Sequence, residues 1–253
     1  MLHNFQRTIS NDRNDEYGGS VQNRARLLRE TIEVLKDAVG ETMAIAVRFA
    51  PDDDQMQDGQ PVSDETREFF AEVAELPDLW DVTVQDWSLE LGISRFVKEG
   101  ALAPYHSYIK ELTSKPVVSV GRFTSPDTMV TQLKRGFIDL IGAARPSIAD
   151  PFLPKKIEEG RPEDIRECIG CNICVAWNTM HAPMRCTQNP TTGEEWRRGW
   201  HPERIAPKTG DGSVLVVGAG PAGLRCAGAY RSYGQLRTVG TFVWALGYTP
   251  GGF

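Results

Sequence analysis

No stretch of this chain reaches the roughly 18 consecutive apolar residues that a membrane-spanning helix needs. The opening residues, Met1-Leu2-His3-Asn4-Phe5-Gln6-Arg7, carry no apolar core of a secretory signal. Both absences lead to the expectation of a cytoplasmic protein with no membrane partner. Basic residues are not in excess: 28 Lys and Arg stand against 34 Asp and Glu, a formal net charge of -6. That balance argues against a nucleic-acid partner held on a general basic surface. Internal repeats and low-complexity tracts are missing too. Cysteine is scarce, with five residues in 253, and a disulfide framework would spread them along a short secreted chain. Instead, four of the five fall between Cys168 and Cys186, a clustering that points to a metal or cluster site. Acidic residues stop altogether after Asp211.

What remains is an ordinary globular composition, 40% hydrophobic and 25% charged, able to bury a core. Leu27, Leu28, Ile32, Leu35 and Val39 share one face of a helix expected from Arg24 to Val39, with Gly40 as its stop. Four short apolar runs read as buried strands: Met43 to Phe49, Leu79 to Val84, Pro116 to Val120 and Ile138 to Ile141. Helical patterns separate them, from Glu65 to Leu76, Pro104 to Leu112 and Asp127 to Arg135. Strand–helix units with non-alternating strands predict an α/β fold with a parallel sheet covered by helices. Polar or glycine-bearing loops end each strand: Arg48, Asp86-Trp87, Gly121-Arg122, and Gly142 to Arg145. A (β/α)8 barrel places its chemistry at these ends. Four strands are half of a barrel, and periodicity alone does not separate a half-barrel from an open doubly wound sheet.

The cysteines are spaced Cys168-x2-Cys171-x2-Cys174-x11-Cys186. Three closely spaced thiolates and a distant fourth suit a [4Fe–4S] cluster, and Gly170 permits a tight turn between the first two. Structural zinc more often takes cysteines in two separated pairs, so zinc or plain buried thiols are the alternatives. Cys226 stands apart and reads as an ordinary buried residue. Further on, Val214-Leu215-Val216-Val217 runs into Gly218-x-Gly220-x-x-Gly223, the pattern of a strand entering a pyrophosphate-binding loop. The acid expected about 20 residues later to hold a ribose is missing. The ADP/FAD site is therefore expected to be incomplete.

Cys168-Ile169-Gly170-Cys171-Asn172-Ile173-Cys174, Cys186-Thr187-Gln188-Asn189-Pro190 and the run from Gly193 to Glu203 together resemble the cluster segment of the trimethylamine/dimethylamine/histamine dehydrogenases. Asp15 to Arg26, Gly121-Arg122-Phe123 and Gly142-Ala143-Ala144-Arg145-Pro146 are similar to stretches of the old-yellow-enzyme barrel that those enzymes share. The resemblance implies the C-terminal half of a (β/α)8 TIM barrel over 1–160, a [4Fe–4S] segment over 161–211 and the start of a Rossmann-like domain over 212–253. It implies FMN, its phosphate held by Gly121, Arg122, Gly142, Ala144 and Arg145, with Arg48 beside the pyrimidine edge. Surface arginines in salt bridges are the alternative for Arg48 and Arg145. Cys168, Cys171, Cys174 and Cys186 become cluster ligands.

The same resemblance brings in Trp87 and Trp177 as aromatics of a cage for an alkylammonium substrate and Glu90 as an acid of the active-site network. Plain packing is the alternative for both tryptophans. It also implies an amine substrate and an external electron acceptor such as an electron-transfer flavoprotein. The family's first four strands are absent, so the chain reads as a fragment with an exposed inner sheet face and open edges, which a homodimer or another chain could cover. A 2,4-dienoyl-CoA reductase-like ene-reductase and a non-catalytic metal-binding fragment are the competing readings.

Overall fold

The computed structural model describes residues 2–51, 63–84, 94–204 and 216–232. The chain divides into two compact units, Met1–Gly193 and Glu194–Phe253.

In the first unit, a short helix α1 (His3–Gln6) precedes α2 (Val21–Val39). The Ser20 hydroxyl caps α2 by accepting from Asn23 N, and Gly40 ends it at φ +54° with its N–H on Lys36 O. The strands follow as β1 (Ala46–Phe49), β2 (Leu79–Val82), β3 (Val117–Ser119) and β4 (Leu140–Ile141). Between and after them lie α3 (Asp64–Ala71), α4 (Ala103–His106), α5 (Ile109–Leu112), α6 (Pro126–Lys134), α7 (Ala144–Ala149), α8 (Leu153–Glu158) and α9 (Ile173–Thr179). All four expected strands form, each shorter than its apolar run. The stretch from Pro104 to Leu112 is two helical turns rather than one helix.

The sheet order is β1-β2-β3-β4, every pair parallel. An open doubly wound sheet reverses its strand order at a switch point and carries helices on both faces; among the described residues this sheet does neither. Register places Val47, Phe49, Trp80, Val82, Val117 and Ser119 on one face. That face holds the core, packed against Val21 and Ala25 of α2, Phe69 and Phe70 of α3, Ile109 of α5 and Met129 of α6. The opposite face presents Ala46, Arg48, Leu79, Asp81, Val118 and Leu140, all exposed or half-buried. Sequential order with helices on one side is part of a (β/α)8 barrel.

Aromatic packing anchors the core. Phe70 lies 4.8 Å from Trp80 and Phe49 lies 5.8 Å from it, both at steep interplanar angles that suit aromatic quadrupoles. The buried Trp80 indole donates to Ala74 O at 2.8 Å. At the lower rim one device appears twice. Asp78, just before β2, accepts from Ile45 N at 2.7 Å and from Lys36 at 3.1 Å. Asp139, just before β4, accepts from Val117 N and from Lys110, both at 2.8 Å. Each carboxylate pins the start of the neighbouring strand and so fixes the register.

In the second unit α10 (Glu195–Arg198) is followed by α11 (Pro221–Ser232). Arg198 pairs with Glu194 at 2.8 Å and stacks over Trp200, 4.8 Å from the ring centre. The expected strand from Val214 to Val217 lies half outside the described residues; Val216 and Val217 have no strand pairing. The helix after the glycine loop does form, opening directly after Gly220.

Candidate functional site

The loops that leave β3 and β4 meet at the upper rim of the sheet. They form an open cleft lined by Leu102, Val120, Gly121, Arg122, Gly142, Ala144, Arg145 and Pro146. Five residues expected at a phosphate, namely Gly121, Arg122, Gly142, Ala144 and Arg145, thus come together in space. The two charged residues among these lining groups are both arginines, and arginine offers a forked, permanently charged partner to an anion. Arg122 Nε is buried and has no hydrogen-bond partner among the described residues. The two arginine charges at the cleft suit an anion such as the phosphate of FMN. The glycine at 142 has a packing reason as well: a Cβ there would sit 2.9 Å from Val120 Cγ1 and 3.0 Å from Ser119 O.

The cysteine loop is tied to this rim. Arg122 Nη1 donates to Cys168 O at 3.1 Å, and Cys168 N donates to Thr124 Oγ1 at 2.8 Å. Arg145 Nη1 donates to Asn172 Oδ1 at 2.6 Å. Gly170 adopts φ +65° and Asn172 φ +57°, so the loop curls through two left-handed positions. A Cβ at Gly170 would meet Arg95 N at 2.6 Å, which makes glycine obligatory there.

Burial pushes the Cys168 thiol up; the Gly170 N–H, Arg145 and Arg122 pull it down, and Cys186 adds to the rise. Burial also raises Cys174, opposed by the Val175 N–H and Arg145 and reinforced by Cys168 and Cys186. Cys171 Sγ lies 3.2 Å from Thr187 Oγ1, beside Cys186. Cys168, Cys174 and Cys186 thus act on one another electrostatically, and the raised thiols of Cys168 and Cys174 must lose protons to ligate. Among the described residues no three His, Cys, Asp or Glu side chains come close enough to hold a single metal ion. A tetrahedral zinc with Zn–S bonds near 2.3 Å would need sulfurs roughly 4 Å apart. A four-iron cube takes each thiolate on a different iron, and four cysteines are the donor chemistry it uses.

The other expected residues are placed less centrally. Arg48 lies on the open face of β1, largely exposed, 3.7 Å from Asp81 across the strands, and does not line the cleft. Trp177 is partly exposed on α9 and also lies off the cleft lining. Trp87 and Glu90 fall outside the described residues. In the second unit Gly218 has φ +105°, and a Cβ on Gly223 would collide with Gly218 O, so the glycine loop is tightly turned. Cys226 is half-buried on α11. Sequence reasoning missed Thr124 and Asn172. An asparagine between the second and third cysteines, a residue tolerant of left-handed φ, was the available signal for the latter.

Residues 1–164 match the NADH:flavin oxidoreductase / NADH oxidase family, a family of FMN oxidoreductases. The chain belongs to that family. Within this flavin-oxidoreductase family it is 48% identical over 221 residues to the dimethylamine dehydrogenase of Hyphomicrobium sp. (strain x), covering 86% of this chain and 30% of the relative. The structure resembles the 6-hydroxypseudooxynicotine amine oxidase of Pseudomonas geniculata N1, with TM-score 0.87 and 52% identity over 95% of this chain and 36% of the other. It also resembles the histamine dehydrogenase of Rhizobium sp. 4-9, with TM-score 0.86 and 51% identity over 95% of this chain and 34% of the other. The chain thus spans about a third of the length of these relatives. Among the described residues no helix is long and apolar enough to cross a membrane.

Proposed function

We propose that this chain supplies the phosphate-side half of an FMN site and a [4Fe–4S] segment to an amine-oxidising flavoprotein. The observation that carries the reading is the upper-rim cleft, whose two arginines also hydrogen-bond the cysteine loop. Arg122 and Arg145, with the backbone of Gly121, Gly142 and Ala144, would hold the phosphate; Arg48 would face the flavin's pyrimidine edge. Cys168, Cys171, Cys174 and Cys186 would be the cluster ligands. When bound, FMN would supply hydride acceptance from substrate and the cluster single-electron transfer to an external acceptor such as an electron-transfer flavoprotein. Trp87 and Trp177 would enclose an alkylammonium group, with Glu90 in the polar network beside it. In this reading residues 1–160 are barrel, 161–211 the cluster segment and 212–253 the opening of a nucleotide-binding domain, whose Gly218, Gly220 and Gly223 form an incomplete ADP/FAD site. Identities of about one half to amine-oxidising relatives favour amines over enoyl substrates.

Anaerobic purification followed by flavin, iron and sulfide analysis tests this. About four irons per chain are expected, lost in Cys174→Ala, and FMN binding should weaken about tenfold or more in Arg145→Gln, which removes a charged partner. Iron content indifferent to Cys174→Ala would overturn the cluster assignment, and FMN binding indifferent to Arg145→Gln the cleft assignment. Flavin that ignores dimethylamine, is bleached by NADH and is reoxidised by an enoyl thioester would favour the ene-reductase reading.

A further inference from the structure

Arg122 is a non-glycine residue at φ +53°, an unfavourable backbone state that persists only where the surroundings over-determine it. Its guanidinium forks between two loops. Nη1 donates to Cys168 O at 3.1 Å and Nη2 to Val97 O at 2.9 Å. Residues 94–100, which contain Val97, are bound to the same junction by four further hydrogen bonds. Arg95 N donates to Gly170 O at 3.0 Å and Gly100 N to Gly121 O at 2.8 Å. The Glu99 carboxylate accepts from Thr124 N at 2.7 Å and Ser125 N at 3.1 Å. The Cys168 peptide is therefore held on both sides by the loop after β3, its N–H by Thr124 and its carbonyl by Arg122.

We propose that Arg122 is a positioning residue that locks Cys168 to residues 94–100 and to the upper-rim cleft, and that its charge and its fork together set the geometry and reduction potential of the cluster. The lock is a property of the chain itself; its effect on potential rests on the cluster reading above. A planar guanidinium can span two carbonyls at fixed geometry, whereas an ammonium is a single point charge. A cation beside a cluster favours the reduced, more negative state, so it raises the potential. Lysine at 122 keeps the charge and loses the fork; glutamine loses the charge.

The test uses the full chain, as wild type, Arg122→Lys, Arg122→Gln and Thr124→Val. In the iron-free chain, both Arg122 variants should speed amide exchange in residues 94–100 and in residues 168–172 by about tenfold or more, a local opening. Thr124→Val should do so in residues 168–172 alone. In chain reconstituted with iron and sulfide, Arg122→Gln should shift the cluster to lower potential. Arg122→Lys should keep the wild-type potential but change the electron paramagnetic resonance line shape. Unchanged exchange in either segment of the Arg122 variants would overturn the lock, and an Arg122→Gln potential equal to wild type would overturn the electrostatic role. A wild-type chain that takes up no iron would overturn the cluster reading and with it the effect on potential; the exchange result then decides the lock alone.

Discussion

Replacing Asp150 with alanine should destabilise the first unit by about 3–5 kcal/mol. Asp150 is fully buried and its partner Lys156 nearly so, with side-chain exposures of 0% and 2%. Lys156 Nζ donates to Asp150 Oδ2 at 2.6 Å and to Asp164 O at 2.8 Å. The same carboxylate accepts from Arg166 N at 2.9 Å and from Phe152 N at 3.0 Å. Truncation removes the Asp150 carboxylate from beside a buried ammonium and takes this acceptor from two backbone N–H groups, the latter costing about 1–3 kcal/mol each. That loss is a large fraction of the 5–15 kcal/mol typical of a whole domain. Urea unfolding at pH 7, followed by tryptophan fluorescence, measures it. The double variant Asp150→Ala with Lys156→Met should recover part of the loss, because it removes the stranded charge as well. A loss under about 1 kcal/mol, or a double variant no better than the single, would refute the reasoning. Burial pushes the Asp150 carboxyl up, but the bonds from Lys156, Arg166 N and Phe152 N outweigh it and hold it below the usual range. The contribution is thus present above the ordinary carboxylate range and is lost as pH falls through the lower native value. Since Arg166 stands two residues before Cys168, iron retention should fall with stability.

Two other perturbations test the core and the cleft. His106 is buried with Nε2 3.1 Å from Ser119 Oγ, and burial lowers its pKa from 6.5 to about 4. The unfolded chain takes the proton first, so stability should fall between pH 6.5 and 4, by about 3 kcal/mol in all. Urea midpoints across that range should fall less in His106→Gln than in wild type, and equal slopes would refute the assignment. Gly142→Ala should cost about 1–3 kcal/mol, because its Cβ meets the fixed Ser119 carbonyl and Val120. It should also weaken FMN binding; an unchanged melting temperature and FMN affinity would show that the loop gives way freely.

Much of the sheet was legible because β1 to β4 are short apolar runs of the kind only a doubly covered or helix-backed strand carries. The expected runs overshoot the strands since Met43, Ala44, Thr83 and Val84 read as apolar or β-prone but fall where the ladder ends. Periodicity could not choose between barrel and open sheet, because that choice lies in strand order and in which face the helices cover. At the site, Gly121, Arg122, Gly142 and Arg145 were readable as loop residues after strands. Their engagement with Cys168 and Asn172 was not, since those bonds join positions 27 to 46 residues apart. The role expected for Arg122 was a phosphate contact; the structure adds two carbonyls that no local pattern encodes.

Asp78 and Asp139 act at one end of the strands, and the arginine-lined cleft opens at the other. Register and recognition are therefore specified by residue sets that do not overlap. A change at the lower rim can be read in unfolding experiments with the cleft residues unaltered, whereas a change at Gly142 bears on the cleft and on the end of β3 at once. In this chain the lower end of the sheet serves folding alone, while the upper end carries folding and chemistry together.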